Sequence, residues 1–256
     1  MSWSSRRQTY ISLTVGFIIL CVAAGGYGVF FYKAPNCFDG VMNGAETGID
    51  CGGACQKICS AEAVAPLVLW ARALPVTQSV YNAVAMVKNQ NVNASAQSIS
   101  YSFSLYDDKN LLIAERTGTT FLEPGATAAI FEPSIIVGGR PPTRTFFKFT
   151  SEPDWQRTSE APRILISGET LLDVSSSPRV TALAQNSGFT DIPEATLIAI
   201  LYDESDNAIA VSKTVVASLA AQKTASVAFT WPSPFTAPVA RIEIIPRVAP
   251  ETTPQP

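Results

Sequence analysis

Tyr101-Ser102-Phe103-Ser104-Leu105-Tyr106-Asp107 reads as a β-strand running into a turn, and it recurs as Leu197-Ile198-Ala199-Ile200-Leu201-Tyr202-Asp203. Side chains alternate across a strand, so Phe103 and Leu105 face one side and would enter a core. Tyr106 packs at the strand end and Asp107 opens the turn. The recurrence extends both ways. Upstream, Val84-Ala85-Met86-Val87-Lys88-Asn89 corresponds to Val180-Thr181-Ala182-Leu183-Ala184-Gln185-Asn186. Downstream come Asp108-Lys109-Asn110 and Glu204-Ser205-Asp206-Asn207, hairpin turns rich in residues that tolerate the left-handed conformation. Leu122-Glu123-Pro124-Gly125 then aligns with Leu219-Ala220-Ala221-Gln222. Each copy closes with an alternating strand, Thr145–Phe149 and Arg241–Ile245.

A repeat of this length built of short strands predicts two tandem antiparallel β-sandwiches of Ig-like size, each strand filling an inter-sheet core with one face. They would span residues 61–156 and 157–248. The connector is placed in Ser151–Arg163, which is polar and holds two prolines, and Ala249–Pro256 forms a Pro/Thr-rich tail outside the fold. Trp70, Trp155 and Trp231 read as core or inter-domain packing. Asn93-Ala94-Ser95 also fits a glycosylation sequon, a short match.

At Phe103-Ser104-Leu105-Tyr106-Asp107 the chain resembles the FxLYD family of prokaryotic exported β-sandwich domains. Asn89 and the Leu122-Pro124-Gly125 turn fall where that family has its Asn and its L-x-P-G segment. The second copy keeps Leu201, Tyr202 and Asp203 but has Ala199 at the Phe position and lacks Pro-Gly. The resemblance implies a tandem, exported, non-catalytic domain, with Phe103, Leu105, Tyr106, Asp107, Leu201, Tyr202 and Asp203 as structural signature residues.

Ahead of the repeat, residues 8–32 carry no charge, and a span needs about 20 apolar residues. Arg6 and Arg7 precede the run and Lys33 follows it, which predicts a single-pass anchor (1–34) with a cytoplasmic N-terminus and an extracellular or periplasmic remainder. Residues 10–32 would contact the membrane. The competing reading is a cleaved signal peptide ending near Val22-Ala23-Ala24. A lipoprotein site at Cys21 and a pilin-type helix fit less well, for want of the expected small residue and glutamate.

Between anchor and repeat, residues 35–60 hold Cys37, Cys51, Cys55 and Cys59. Outside the cytosol four close cysteines imply two disulfides, whose three pairings the spacing does not separate. Gly40, Gly44, Gly48, Gly52 and Gly53 would supply turns with positive φ. Two other chemistries fit the segment: zinc held by four thiolates, and calcium held by Asp39, Asn43, Glu46 and Asp50, hard oxygen donors set among the glycines. The string Cys-x-Asp-Gly-x-x-Asn-Gly-x-Glu-Thr-x-x-Asp-Cys-Gly-Gly-x-Cys is similar to a motif of exported bacterial surface proteins. The full motif often has Asp where Gly48 stands, and it implies an extracellular module.

Of 256 residues only 15% are charged, and none is histidine. That excludes Ser-His-Asp and Cys-His catalysis and His-ligated metals. Removing Arg6 and Arg7 from the 18 basic residues leaves 16 against 21 acidic ones in the exported part, net −5. No nucleic-acid partner is expected of such a surface. No GxSxG, Walker or HExxH motif occurs, and Gly138-Gly139-Arg140 reads as a loop. The sequence therefore points to a mainly β, non-enzymatic surface protein without a required cofactor, acting in adhesion, scaffolding or binding of an unknown partner. An accessory subunit of an envelope secretion or pilus-like complex is the second reading.

Overall fold

The computed structural model describes residues 3–31, 34–158 and 163–250. Helix α1 spans Trp3–Phe31, and within it Arg7–Gly28 is a 22-residue stretch long and apolar enough to cross a membrane. Its apolar stretch is not buried inside the described structure. Tyr32, Lys33 and the tail from Glu251 onward lie outside the described residues.

Thirteen strands follow among the described residues. The first sandwich holds β1 (Leu67–Thr77), β2 (Val80–Lys88), β3 (Ala94–Tyr106), β4 (Leu112–Leu122), β5 (Thr127–Ile136), β6 (Arg144–Phe149) and β7 (Trp155–Arg157). Its sheets are β1-β2-β5 and β4-β3-β6, with β7 paired to β3. The second holds β8 (Ile164–Leu172), β9 (Arg179–Asn186), β10 (Ala195–Tyr202), β11 (Ala208–Val216), β12 (Thr224–Thr230) and β13 (Arg241–Arg247), in sheets β12-β9-β8 and β11-β10-β13. All pairings are antiparallel. Six strands repeat in the same order, one fewer than the seven of an Ig constant-type sandwich. Tyr106 pairs with Arg144 and Tyr202 with Arg241, so the closing strands correspond from Arg144 rather than from Thr145.

Each sandwich has its own core. Phe103, Leu105, Ile99, Leu122, Ile130 and Trp155 fill the first; Leu197, Leu201, Leu219, Val180, Phe229 and Trp231 fill the second. The connector expected over Ser151–Arg163 is partly structural: β7 carries Trp155 into the first core and pairs Arg157 with Ala94.

Strands were expected to bury one face each. Two bury both. Along β2, Ala83, Ala85 and Val87 enter the first core, while Val84 and Met86 enter a third cluster. Along β10, Leu197, Ala199 and Leu201 enter the second core, while Ile198, Ile200 and Tyr202 enter that same third cluster. The third cluster is the seam where sheet β1-β2-β5 lies face to face on sheet β11-β10-β13, so the four sheets stack in one pile. A strand covered on both sides reads as an unbroken apolar run, as Ala195–Tyr202 does.

The two seam faces come from non-equivalent sheets, and the register identifies their counterparts on the outer faces. Ile198 and Ile200 correspond to Ser102 and Ser104; Val211 and Ile245 correspond to Glu115 and Lys148. On the other side Trp70, Val84 and Ala129 correspond to Ser167, Thr181 and Ser226. These apolar seam residues thus have polar twins on the outer faces, where buried Ser102 donates to Glu115 at 2.9 Å, although Met86 keeps an apolar twin in Leu183 and Ala208 one in Leu112. The pile stops at four sheets because its outer faces have been made polar.

Polar contacts fasten the seam. Buried Arg247 of β13 donates to Ala129 O at 3.2 Å, to Thr120 Oγ1 at 3.0 Å and to Phe121 O, and it pairs with buried Glu123 at 3.4 Å. Trp70 meets Tyr202 edge to face at 6.5 Å. Arg72 donates to Asn207 at 3.0 Å.

Giving the seam its outer-face chemistry should weaken it. Ile200→Ser leaves a void against Val84 and Met86 and is expected to cost about 2–5 kcal/mol in urea denaturation. The mirror change, Ser102→Ile with Ser104→Ile, should make the monomer associate on sizing columns, whereas unchanged elution would show that apolarity alone does not drive the stacking.

Candidate functional site

The signature residues converge on two matching turn assemblies. In the first, the Asp107 Oδ1 accepts the amides of Lys109 at 3.0 Å and Leu111 at 2.9 Å. In the second, the Asp203 Oδ1 accepts the amides of Ser205 and Asn207, both at 2.9 Å. Asn110 and Asp206 take φ of 60° and 58°, the left-handed residues of their hairpins. The aspartate is therefore a turn cap. Phe103 and Leu105 are fully buried, Leu201 likewise, and Tyr202 lies in the seam with Arg241 stacked on its ring at 3.8 Å. Burial and the neighbouring Glu243 push the Tyr202 phenol well above its ordinary pKa.

Asn89 and Asn186 form the second matching pair. Asn89, 1% exposed, donates to Ala94 O and Glu123 O, both at 2.8 Å, and accepts the Asn91 amide at 2.9 Å. Asn186 does the same with Thr190 O, Leu219 O and the Gly188 amide. Each ties three loop segments that would otherwise bury unpaired backbone. Gly125 has φ of 59°, and Gln222, its counterpart, adopts the same φ despite its side chain.

In the cysteine module the pairing is Cys37–Cys55 and Cys51–Cys59. That replaces the four-thiolate zinc reading. Gly40, Gly44, Gly52 and Gly53 have positive φ as expected; Gly48 does not. A Cβ on Gly48 would sit 2.7 Å from the Cys59 sulfur and 2.9 Å from that of Cys51, so disulfide crowding is what requires glycine there.

The four oxygen donors considered for calcium make hydrogen bonds within the module. The Asp50 carboxylate accepts the amides of Asp39 and Gly40, Asp39 accepts those of Val41 and the Asn43 side chain, and Glu46 accepts that of Asn43. Among the described residues the only three-member His/Cys/Asp/Glu group within ligating distance is Cys37, Glu46 and Cys55, whose sulfurs are already joined to each other. Asp39, Asn43, Glu46 and Asp50 are thus turn-forming groups, and their carboxylates do not gather around one point.

The module is docked on the first sandwich. Lys57 bridges to Gln156, the Ile58 amide donates to Trp155 O at 3.0 Å, and the Arg157 amide donates to Gln56 O at 2.7 Å. Lys57 and Asp154 add an exposed ion pair at 3.6 Å. The sequence had no signal for this docking, nor for buried Arg247. An arginine closing Ile242–Pro246, a run apolar but for Glu243, was the available cue.

Two surface features remain. A crevice of about 440 Å³ between the sandwiches is lined by Tyr81, Ile209, Trp231 and Phe235 with prolines 75 and 232, and no charged side chain enters it. On the outer face of β4-β3-β6, exposed Phe146 meets Tyr106 edge to face at 5.5 Å, beside exposed Leu112. Of the sequon, Asn93 is exposed but Ser95 is buried. Gly138-Gly139-Arg140 forms a loop whose Arg140 pairs with Asp107 at 3.4 Å.

No family model matches the chain, and no curated protein matches it. Among solved structures it is similar to red sea bream transglutaminase, at 10% identity and a TM-score of 0.24, over 75% of this chain and 32% of that one. The chain spans about a third of that enzyme's length, and a score this low carries no argument about fold or activity.

Two measurements address the turn assemblies. The backbone amides of Asn207 and Ser205 lower the Asp203 pKa. A depressed carboxyl stabilises the fold above the unfolded value of about 3.9, and that stabilisation is lost as pH falls through the folded value. Carbon-detected NMR titration should place the Asp203 midpoint below that of an unfolded aspartate; a midpoint at or above it would contradict the cap. Asn89→Ala orphans two carbonyls and an amide and should cost about 1–3 kcal/mol or more in denaturation.

Proposed function

We propose that this is a membrane-anchored surface protein whose stacked β-sandwiches act as a rigid, non-catalytic adhesive, scaffolding or partner-binding unit. The order of parts carries the reading. A helix of spanning length stands unburied at the N-terminal end, a disulfide-linked module begins a few residues later, and a fused pile of sheets with Ser/Thr-rich outer faces follows. Two disulfides suit an oxidising compartment, and Arg6 and Arg7 ahead of the apolar run favour a cytoplasmic N-terminus. Kinship with FxLYD-type exported domains belongs to the same reading, as does the bacterial surface motif in the module. Binding would be carried by loops held on a stiff scaffold.

The patch of Tyr106, Leu112 and Phe146 supports the second reading, an accessory subunit of an envelope complex. Three apolar side chains together on an otherwise polar face are the kind of feature that marks a protein contact.

Protease shaving of intact host cells tests the first reading. The region beyond residue 60 should be lost, and the surviving fragment should retain the N-terminal helix by mass. Full protection would reverse the topology, and a mature chain starting after Ala24 would replace the anchor by a signal peptide. A photo-crosslinker at Phe146 separates the two functions: a discrete adduct with one envelope protein favours the subunit, and its absence favours the free surface scaffold.

A further inference from the structure

We infer that the tip of the cysteine module, residues 38–49, is itself a membrane contact, seated in the interfacial layer of the bilayer that α1 spans. This rests on the anchor reading and goes beyond it, because it gives the module a lipid-facing role.

Phe38, Val41, Met42 and Ile49 are 53–65% exposed, four large apolar side chains within twelve residues. The module is too small to cover them: Cys55 is its one buried hydrophobic. Nor does the first sandwich cover them, since docking uses Gly53, Gln56, Lys57 and Ile58. Apart from the patch at Tyr106, Leu112 and Phe146, exposed apolar residues elsewhere in the exported part are mostly spread over strands and loops, as single ones ordinarily are.

Three observations choose lipid as the occupant. The first is chain length. Phe38 lies seven residues beyond the end of α1 at Phe31, so it can stand no more than about 25 Å from the helix end. The headgroup layer adds roughly 5–8 Å to each side of the hydrocarbon, well inside that reach.

The second is backbone satisfaction. A loop entering a water-poor layer must not bring unpaired amides with it. At this tip the amides of Asp39 and Gly40 are held by Asp50, at 3.0 and 3.1 Å to its Oδ1, and the Val41 amide by Asp39 at 3.0 Å. These contacts also bring the 38–41 turn beside Ile49.

The third is charge. Asp39, Glu46 and Asp50 leave the tip without the basic residues that draw a protein to anionic headgroups. The contact is therefore apolar and insensitive to salt, like the insertion of a hydrophobic loop rather than of a polybasic patch.

The test uses the full chain in phosphatidylcholine nanodiscs. p-Benzoylphenylalanine replaces, one at a time, Phe17 in α1, Phe38, Met42 and Ile49 at the tip, and Phe189, which is 91% exposed on a loop of the second sandwich. Lipid adducts are expected at position 17 and at the three tip positions, at least ten-fold above position 189 and unchanged between low and high salt. Adducts at 17 but none at 38, 42 and 49 would overturn the tip contact and leave the anchor standing. Tip adducts with protein, including a second copy of the chain, would overturn it equally. No lipid adduct at 17 would overturn the anchor itself, and the tip contact with it.

Discussion

The seam between the two sandwiches is the constraint on which the architecture depends. Ile198, Ile200 and Tyr202 from one repeat close over Val84, Met86 and Ala129 from the other, and every one of them is buried. Neither sheet could show these residues to water without a large apolar face, so the two sandwiches are halves of one folded object. Arg247 makes the joint specific as well as sticky. Its guanidinium, buried with Glu123, has its partners only when β13 lies across the β4–β5 corner of the other sandwich. An isolated charge of this kind is costly, so the pair penalises any misregistered stacking more than it strengthens the correct one.

Because the mated sheets are non-equivalent, the packing is head to tail, the arrangement that in general continues without limit unless something stops it. Here what stops it is composition. The serines, threonines, Glu115 and Lys148 that occupy the outward positions of the end sheets are the same sites that the inner sheets fill with isoleucine, valine, tryptophan and alanine. Repeat arrays end in polar caps for the same reason. The duplication has thus diverged according to each face's position in the pile rather than according to its place within a sandwich.

Much of this was legible in the text of the chain. The repeat, its strands, its turns and the structural role of Asp107 and Asp203 follow from alternation and turn chemistry, which are local, whereas Asn89 was marked only by the family resemblance. The seam was not, although its trace was visible: Ala195–Tyr202 lacks the polar alternation that Ser100–Tyr106 has, and that contrast between two otherwise matching strands is the signature of a second covered face. The fate of the acidic residues in the module was equally hidden. Asp39, Asn43, Glu46 and Asp50 have the chemistry of calcium ligands and of turn caps alike, and only the direction of the backbone amides distinguishes the two. The docking of Lys57 on Gln156 joins positions about a hundred residues apart, with no pattern to announce it.

That last contact has a geometric outcome. Lys57 lies ahead of the first sandwich and Gln156 in β7, its last strand, so the chain enters and leaves that sandwich through one doorway. The second sandwich consequently sets out from the side of the first on which the module is docked. A chain with two domains in series would ordinarily reach outward by two domain lengths. This one folds back on itself instead, so that the second domain seats on the flank of the first.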